Sequence, residues 1–235
     1  MHVGEEYSII PAFIINMAGC NLTCPTCPER ERWNHLLRPI PAEAYARALI
    51  SHFDKTSWPK SIEWIGGEPS TQMPYVFDTT WAMRALHPEL PTVYLNTNAY
   101  FSPFLNPMLA GTGAIDAFVF DLKASPPCAR HITGASDYFD AVSHNILELA
   151  RLMPRAPHIL RHLVMPGHVE CCTVPILEWC KKNVPDLCFN LMTTFHDFRR
   201  PPSIPAVLPQ NEADLAIHFA KSSELPHLLI NGDPA

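Results

Sequence analysis

Cys20, Cys24 and Cys27 stand in the run MAGCNLTCPTCPER, a C-x₃-C-x₂-C arrangement directly after the apolar stretch Ser8 to Asn16. Thiolates are soft ligands that suit iron–sulfur clusters and zinc. Three of them this close can hold three irons of a [4Fe–4S] cube and leave the fourth iron without a protein ligand, whereas such clusters are ordinarily closed by four cysteines. An open coordination position on a metal centre is where chemistry happens. The competing reading is zinc. A structural zinc wants four ligands, usually as two close pairs, and the nearest further candidate here is His35, eight residues on.

Other residue types could serve such a centre. Gly66 and Gly67 precede Glu68 and Pro69 in IGGEPS; glycines let a backbone approach a ligand closely, although the same tetrapeptide can be an ordinary turn. Asn96 and Asn98 in VYLNTNAY either contact a ligand or hydrogen-bond their own turn. Asp121 and Lys123 are two apart and so share one face of a strand; they form a strand-end salt bridge or, facing inward, hold a ligand of both charges. Arg161 lies inside the apolar run HILRHLVMP, where a cation is costly unless paired, so a carboxylate partner is implied. His162 alternates to the other face and reads as structural. His196 follows the last strand and either reaches the ligand or is an ordinary packed histidine. Cys171 and Cys172 cannot readily bridge each other; with Cys180 and Cys188 they could form a second metal site, though at no standard spacing. Cys128 stands alone and reads as inert.

The elements that must position these residues are legible as alternating patterns. Short apolar, β-branched runs predict buried parallel strands at Ile9–Ile15, Ser61–Ile65, Thr92–Asn96, Ala117–Leu122, His158–Val164 and Leu187–Met192. Helices are predicted between them at Ala42–Phe53, Tyr75–Leu86, Pro103–Ala110, Tyr138–Met153 and Val174–Asn183, with a last one at Glu212–Lys221. Six strands alternating with helices imply a parallel α/β sheet with right-handed crossovers. Six units are too few for an eight-stranded barrel, so a partial (βα)₆ TIM-type barrel is expected, with a doubly wound open sheet as the alternative. Each candidate residue then falls at the C-terminal end of a strand, where α/β barrels place their sites. A partial barrel is open along one side and admits a bulky substrate or a loop of another protein.

The ordered segments resemble those of the radical S-adenosylmethionine (SAM) superfamily. The Cys20–Cys27 spacing is similar to its signature, and Gly66 to Pro69 to its GGEP segment. FVFDLKAS (Phe118 to Ser125) and ILRHLVMPGH (Ile159 to His168) resemble segments of pyruvate formate-lyase activating enzymes. HLVMPGHVECCTVPILEW (His162 to Trp179) resembles an uncharacterised Fe–S branch of that group. The likeness spans Ile9 to Phe198. It implies a [4Fe–4S] cluster on the three cysteines, with SAM bound to the fourth iron and cleaved reductively to methionine and a 5′-deoxyadenosyl radical that takes a hydrogen atom from the substrate. It further implies that the Gly66–Pro69 backbone pairs with the SAM amino group. Asn96 and Asn98 would meet the ribose, Asp121 its hydroxyls or the ammonium, Lys123 the carboxylate, Arg161 a SAM or substrate carboxyl, and His196 the adenosine. The implied donor is reduced flavodoxin or ferredoxin, and the substrate a protein, a peptide or a small metabolite. The chain departs from these relatives at Thr26, where many carry an aromatic residue, and at Pro28-Glu29, where activating enzymes follow the third cysteine with a polar residue and Asn. It departs again at Asn96, often Asp, and at Ala99, often Gly.

Composition narrows the remaining classes. The 235 residues suffice for one α/β domain, and one is expected over 1–235, with a barrel core at about 8–198 and a Pro-rich strap plus C-terminal helix at about 199–235. No second Cys-rich domain is expected. A net charge of −6 with no basic run disfavours nucleic acid. No apolar stretch approaches membrane-spanning length, and the first residues lack the design of a signal peptide. Eight cysteines without a disulfide framework fit a reducing cytoplasm. A non-catalytic Fe–S or zinc protein is the rival to an enzyme; it would need neither the GGEP nor the DLK segment. A small-molecule mutase or cyclase of the same superfamily is a third reading, favoured by a closed pocket.

Overall fold

The computed structural model describes residues 6–29, 39–196 and 205–235. Six parallel strands follow one another in chain order, β1 (Ala12–Met17), β2 (Ser61–Gly66), β3 (Thr92–Thr97), β4 (Ala117–Asp121), β5 (Ile159–Leu163) and β6 (Cys188–Met192). The helices between them are α1 (Ala42–Lys55), α2 (Met73–Leu86), α3 (Asn106–Gly111), α4 (Ala129–Thr133), α5 (Tyr138–Leu152) and α6 (Val174–Asn183), followed by α7 (Gln210–Ser222). Each strand pairs with the next without a reversal of order. A doubly wound sheet must reverse at a switch point, so that alternative is excluded and the winding is that of a partial (βα) barrel.

Two strands escape the sequence reading. β7 (Leu228–Ile230) pairs parallel with β6, and β8 (Asp233–Pro234) returns antiparallel on β7. Both are too short for their periodicity to register. β1 also begins later and ends later than expected. The expected strap falls largely on residues outside those described, as do His35 and Phe198; its described end makes an isolated bridge between His196 and Val207.

Proline and glycine punctuate the helices. Pro41 and Pro209 cap α1 and α7, and Pro74 and Pro175 sit in the first turns of α2 and α6, where a missing N–H costs nothing. Gly134 ends α4 in the left-handed region at φ 86°, the usual device for stopping a helix.

The strands separate two apolar layers. Trp64, Leu95, Phe118, Phe120 and Leu160 pack outward against helix residues such as Phe53, Phe77 and Ile146 in the main core. Ile9, Tyr94, Ala117, Val119 and Ile159 form a smaller plug on the inner face. Above that plug the inner face turns polar. Asp121, Arg161 and Asn190 are successive register partners on β4, β5 and β6. This polar row is the floor on which the site is built.

Candidate functional site

A cavity of about 560 Å³ opens at the C-terminal ends of the strands, lined by residues from the loop after β1 through the end of β6. It gathers twelve of the thirteen residues singled out from the sequence: Cys20, Cys24, Cys27, Gly66, Gly67, Glu68, Asn96, Asn98, Asp121, Lys123, Arg161 and His196. Pro69 is buried behind them as the first residue of a 3₁₀ turn. Distances of up to 176 residues in sequence collapse into one site because consecutive parallel strands release their loops at the same end.

The three cysteines are free and half-buried. Around Cys20 the Sγ accepts from Leu22 N at 3.4 Å and from the Asn98 amide at 3.7 Å. Burial pushes the Cys20 and Cys24 thiols up from their ordinary value, while the Lys123 ammonium pulls both down. A metal that displaces the thiol protons would relieve that burial penalty. Three soft donors beside a cation and two N–H groups aimed at one sulfur fit an anionic iron–sulfur cluster, whose potential such donors tune.

The glycines are required by the packing of the protein itself. A Cβ on Gly67 would lie 1.8 Å from Gly19 O, and one on Gly66, at φ 113°, 2.5 Å from Met17 N and O. The close approach is thus to the cysteine loop itself. Gly67 N donates to Met17 O at 2.8 Å and Glu68 N to Gly19 O at 2.7 Å, stitching the end of β2 to the loop after β1. Gly134 presses on the same loop: its Cβ would meet Thr23 Oγ1 at 2.0 Å. Thr133 O accepts from Thr23 N at 3.1 Å.

Glu68 is buried, and its carboxylate accepts from Ser70 N (3.0 Å), Thr97 Oγ1 (2.6 Å) and Asn98 N (2.7 Å). Burial pushes this carboxyl up and the three donors pull it back. The side chain therefore ties the Gly66–Pro69 turn to the end of β3. Asn98 makes the local turn, its Oδ1 accepting from Tyr100 N at 2.8 Å, while its amide faces Asn21 at 3.0 Å and Cys20. Asn96 reaches Glu63 at 3.5 Å.

Asp121 and Lys123 form an ion pair of 2.7 Å at the cavity wall. Burial alone would lower the Lys123 pKa; Asp121, Tyr138 and Cys24 outweigh it and hold the group protonated. Tyr138, which sequence reasoning missed, fixes this turn. Its buried hydroxyl donates to Asp121 O at 2.7 Å and accepts from Lys123 N at 3.0 Å.

Arg161 corrects one expectation. Where the sequence reading sought its carboxylate in a cofactor or substrate, the chain supplies Glu6. The guanidinium donates to both Glu6 oxygens, at 2.9 and 2.6 Å, and Asn190 adds a third bond at 2.7 Å. Arg161 borders the cavity with that charge already paired. His162 is structural, as expected: Nδ1–H donates to Leu122 O (2.8 Å), so Nε2 accepts from Thr173 (3.0 Å). The apolar wall of Ile132, Leu163, Met165, Met192 and Phe195 was also missed, because nothing distinguishes such residues from core in a sequence. Cys128 is not isolated either; it lies 3.2 Å from Cys171.

Residues 12–107 match the model of a 4Fe-4S single cluster domain. The chain is 27% identical to the uncharacterized protein MJ0674 of Methanocaldococcus jannaschii over 96% of its own length and 66% of that protein's. Among solved structures it resembles SuiB of Streptococcus suis bound to S-adenosylmethionine, with a TM-score of 0.66 at 16% identity over 95% of this chain and 50% of SuiB. It also resembles a radical SAM methyltransferase from Sphaerobacter thermophilus, with a TM-score of 0.70 at 11% identity over 93% of this chain and 64% of that one. The fold is that of the radical SAM enzymes. The chain spans less than two thirds of the length of each of these proteins. Within the radical SAM fold the 4Fe-4S match covers β1 to the start of α3. The Asp121–Lys123 pair and Arg161 are contributed by the half beyond it. No helix among the described residues is long and apolar enough to cross a membrane.

Proposed function

We propose that this chain is a radical SAM enzyme that uses a [4Fe–4S] cluster on Cys20, Cys24 and Cys27 to abstract a hydrogen atom from its substrate. The observation that carries the reading is the interlock of the cysteine loop with the Gly66–Pro69 turn, opposite Asp121 and Lys123 across one cavity. An electron carrier needs thiolates; it does not need a second strand end locked against them or a fixed charge pair facing them. When bound, the cluster and SAM supply reductive cleavage of SAM and a 5′-deoxyadenosyl radical.

The chain's own groups take the following roles. The Gly66–Gly67 backbone presents polar atoms to the SAM amino group, and Glu68 and Pro69 hold that backbone in place. Asn96 and Asn98 face the ribose, with Asn98 also donating to Cys20. Asp121 and Lys123 meet the ammonium or hydroxyls and the carboxylate, and His196 borders the adenosine. Arg161, already paired with Glu6, shapes the floor. Ile132, Leu163, Met165, Met192 and Phe195 keep water from the reacting face.

The substrate fits the activase-like class, a protein or peptide segment, because the cavity is open and walled by apolar side chains. SuiB, of the same fold, has been solved bound to its precursor peptide SuiA. Thr26 and Pro28-Glu29 at the cavity set this chain apart from the activating enzymes at the positions nearest the cluster. The reading takes residues 1–235 as one domain, working in a reducing cytoplasm with reduced flavodoxin or ferredoxin as donor.

Anaerobic reconstitution with iron and sulfide, followed by EPR of the dithionite-reduced protein with and without SAM, tests this. A [4Fe–4S]⁺ signal that shifts with SAM, together with 5′-deoxyadenosine in the mixture, is the expected result. A cluster whose signal ignores SAM would return the chain to electron transfer, and no cluster would end the proposal.

A further inference from the structure

Two strand-end loops bring a second set of metal-ligating side chains together outside the cavity. Cys128 ends the 3₁₀ turn after β4, and His168 and Cys171 flank the start of the π-helical turn Val169–Thr173 after β5. Their ligand atoms all lie within 4.8 Å of one another. The Cys128 sulfur is 3.5 Å from His168 Nδ1 and 3.2 Å from the Cys171 sulfur, which is itself 3.4 Å from Nδ1. Around a tetrahedral zinc, with Zn–S near 2.3 Å and Zn–N near 2.0 Å, sulfur and nitrogen stand about 3.5 Å apart and two sulfurs about 3.8 Å. The sulfur–nitrogen distances already match, and the sulfurs need to part by only about half an ångström. A disulfide would instead require them to close to about 2.0 Å and would leave the imidazole without a role.

The sequence around these residues has the paired form of a zinc site. CARH (Cys128 to His131) and HVEC (His168 to Cys171) are two mirror-image pairs, each with two residues between the ligands. His131, in the short helix that Cys128 caps, lies outside that 4.8 Å group; its ring centroid is 5.6 Å from that of His168, so a turn of its side chain is needed to bring it in.

We propose that Cys128, His168 and Cys171, completed by His131, bind one zinc ion that clamps the loop after β4 to the loop after β5. The two loops are already joined by Ser125 Oγ donating to Cys171 O at 2.7 Å and by Ser125 N donating to Cys172 Sγ at 3.3 Å. Binding exchanges two thiol protons for the metal and involves no change of oxidation state. The clamp has a consequence for the first site. Cys128 caps the start of α4, and Thr133 and Gly134 at its other end rest on Thr23 in the Cys20–Cys27 loop. A metal at one end of α4 therefore steadies the cysteine loop at the other.

The test uses the full chain with Cys20→Ser, Cys24→Ser and Cys27→Ser, so that the first loop cannot compete, titrated anaerobically with Co²⁺. One equivalent should bind with sulfur-to-cobalt charge-transfer and tetrahedral d–d bands, and Zn²⁺ should displace it. Adding Cys171→Ser, at an exposed position, should abolish the bands. His131→Ala should weaken binding by at least the roughly tenfold that loss of a mere outer-shell partner costs. A triple variant with native circular dichroism that binds no Co²⁺, or a spectrum unchanged by Cys171→Ser, would overturn the proposal. So would a mass two hydrogens short in protein isolated and kept anaerobic with no metal bound, which would assign a disulfide. Should the triple variant fail to fold, zinc per chain is measured in the otherwise unchanged protein against Cys171→Ser alone. One zinc against none supports the site, and equal zinc overturns it.

Discussion

Gly67→Ala tests the claim that the glycines exist to let β2 close on the cysteine loop. The added methyl would sit 1.8 Å from Gly19 O, a backbone atom that has no rotamer to escape into. Restoring an ordinary contact parts the two backbones by more than an ångström. That separation breaks the bonds from Gly67 N to Met17 O and from Glu68 N to Gly19 O. Each is worth about 1 kcal/mol net, and leaving the buried groups unpaired adds about 1–3 kcal/mol. The expected destabilisation is about 3–5 kcal/mol, or roughly 6–20 °C in melting temperature for a chain of this size. Gly111→Ala is the control: nothing lies within 4 Å of its added Cβ, and alanine at a helix position should leave stability unchanged or slightly raised. Anaerobic thermal unfolding by circular dichroism and iron per chain after reconstitution are the two readouts. A Gly67→Ala protein that melts with the wild type and holds the same iron would refute the interlock.

Three further outcomes follow from particular contacts. Glu6→Gln should cost about 3–5 kcal/mol, because it strands the buried Arg161 cation, while Glu6→Gln with Arg161→Met should recover much of that loss; urea unfolding of the two variants decides it, and equal losses would mean the pair is not coupled. In cluster-loaded protein, Asn98→Leu removes an N–H aimed at Cys20 Sγ and should lower the cluster potential by about 40 mV, the one-electron equivalent of about 1 kcal/mol; an unchanged EPR redox titration would separate Asn98 from the cluster. Burial holds His158 and His162 neutral, their pKa values pushed down to about 4 from 6.5. The unfolded chain therefore binds more protons between pH 6.5 and 4. The contribution is complete above pH 6.5 and is lost as pH falls through 4, by up to about 3 kcal/mol per histidine. Unfolding measured at pH 7 and pH 5 should show the slope, and His162→Gln should reduce it by about half, leaving the His158 share.

What the sequence made legible was local chemistry at the ends of strongly patterned elements. The six longer strands and most helices announce themselves through apolar runs and proline starts, and the C-terminal ends of those strands carry the residues that line the cavity. Legibility failed wherever a residue's meaning depends on a distant one. Arg161 demanded a carboxylate, yet Glu6 is 155 residues away in a segment with no pattern of its own. Tyr138 reads as the start of an amphipathic helix, and only the folded turn shows its hydroxyl bridging Asp121 and Lys123. Gly67 is legible as a site of close approach, but its neighbour Gly19 is not, since a sequence does not say which loop a glycine lets in.

Cys128 shows that some of this loss was recoverable. Asp121 is the register partner of Arg161; Cys128 lies seven residues beyond the first and His168 seven beyond the second. CARH and HVEC, each with two residues between its ligand types, stand in the loops after neighbouring strands. Cys171 and Cys172 diverge because consecutive residues on a helical turn do not share a face. Cys172 turns inward against Ser125 N, whereas Cys171 stays exposed beside Cys128 and His168. Adjacent thiols on one turn thus belong to different tasks, one to packing and one to the proposed metal. On that division, serine at position 172 should weaken the fold and leave Co²⁺ binding intact, the reverse of serine at position 171.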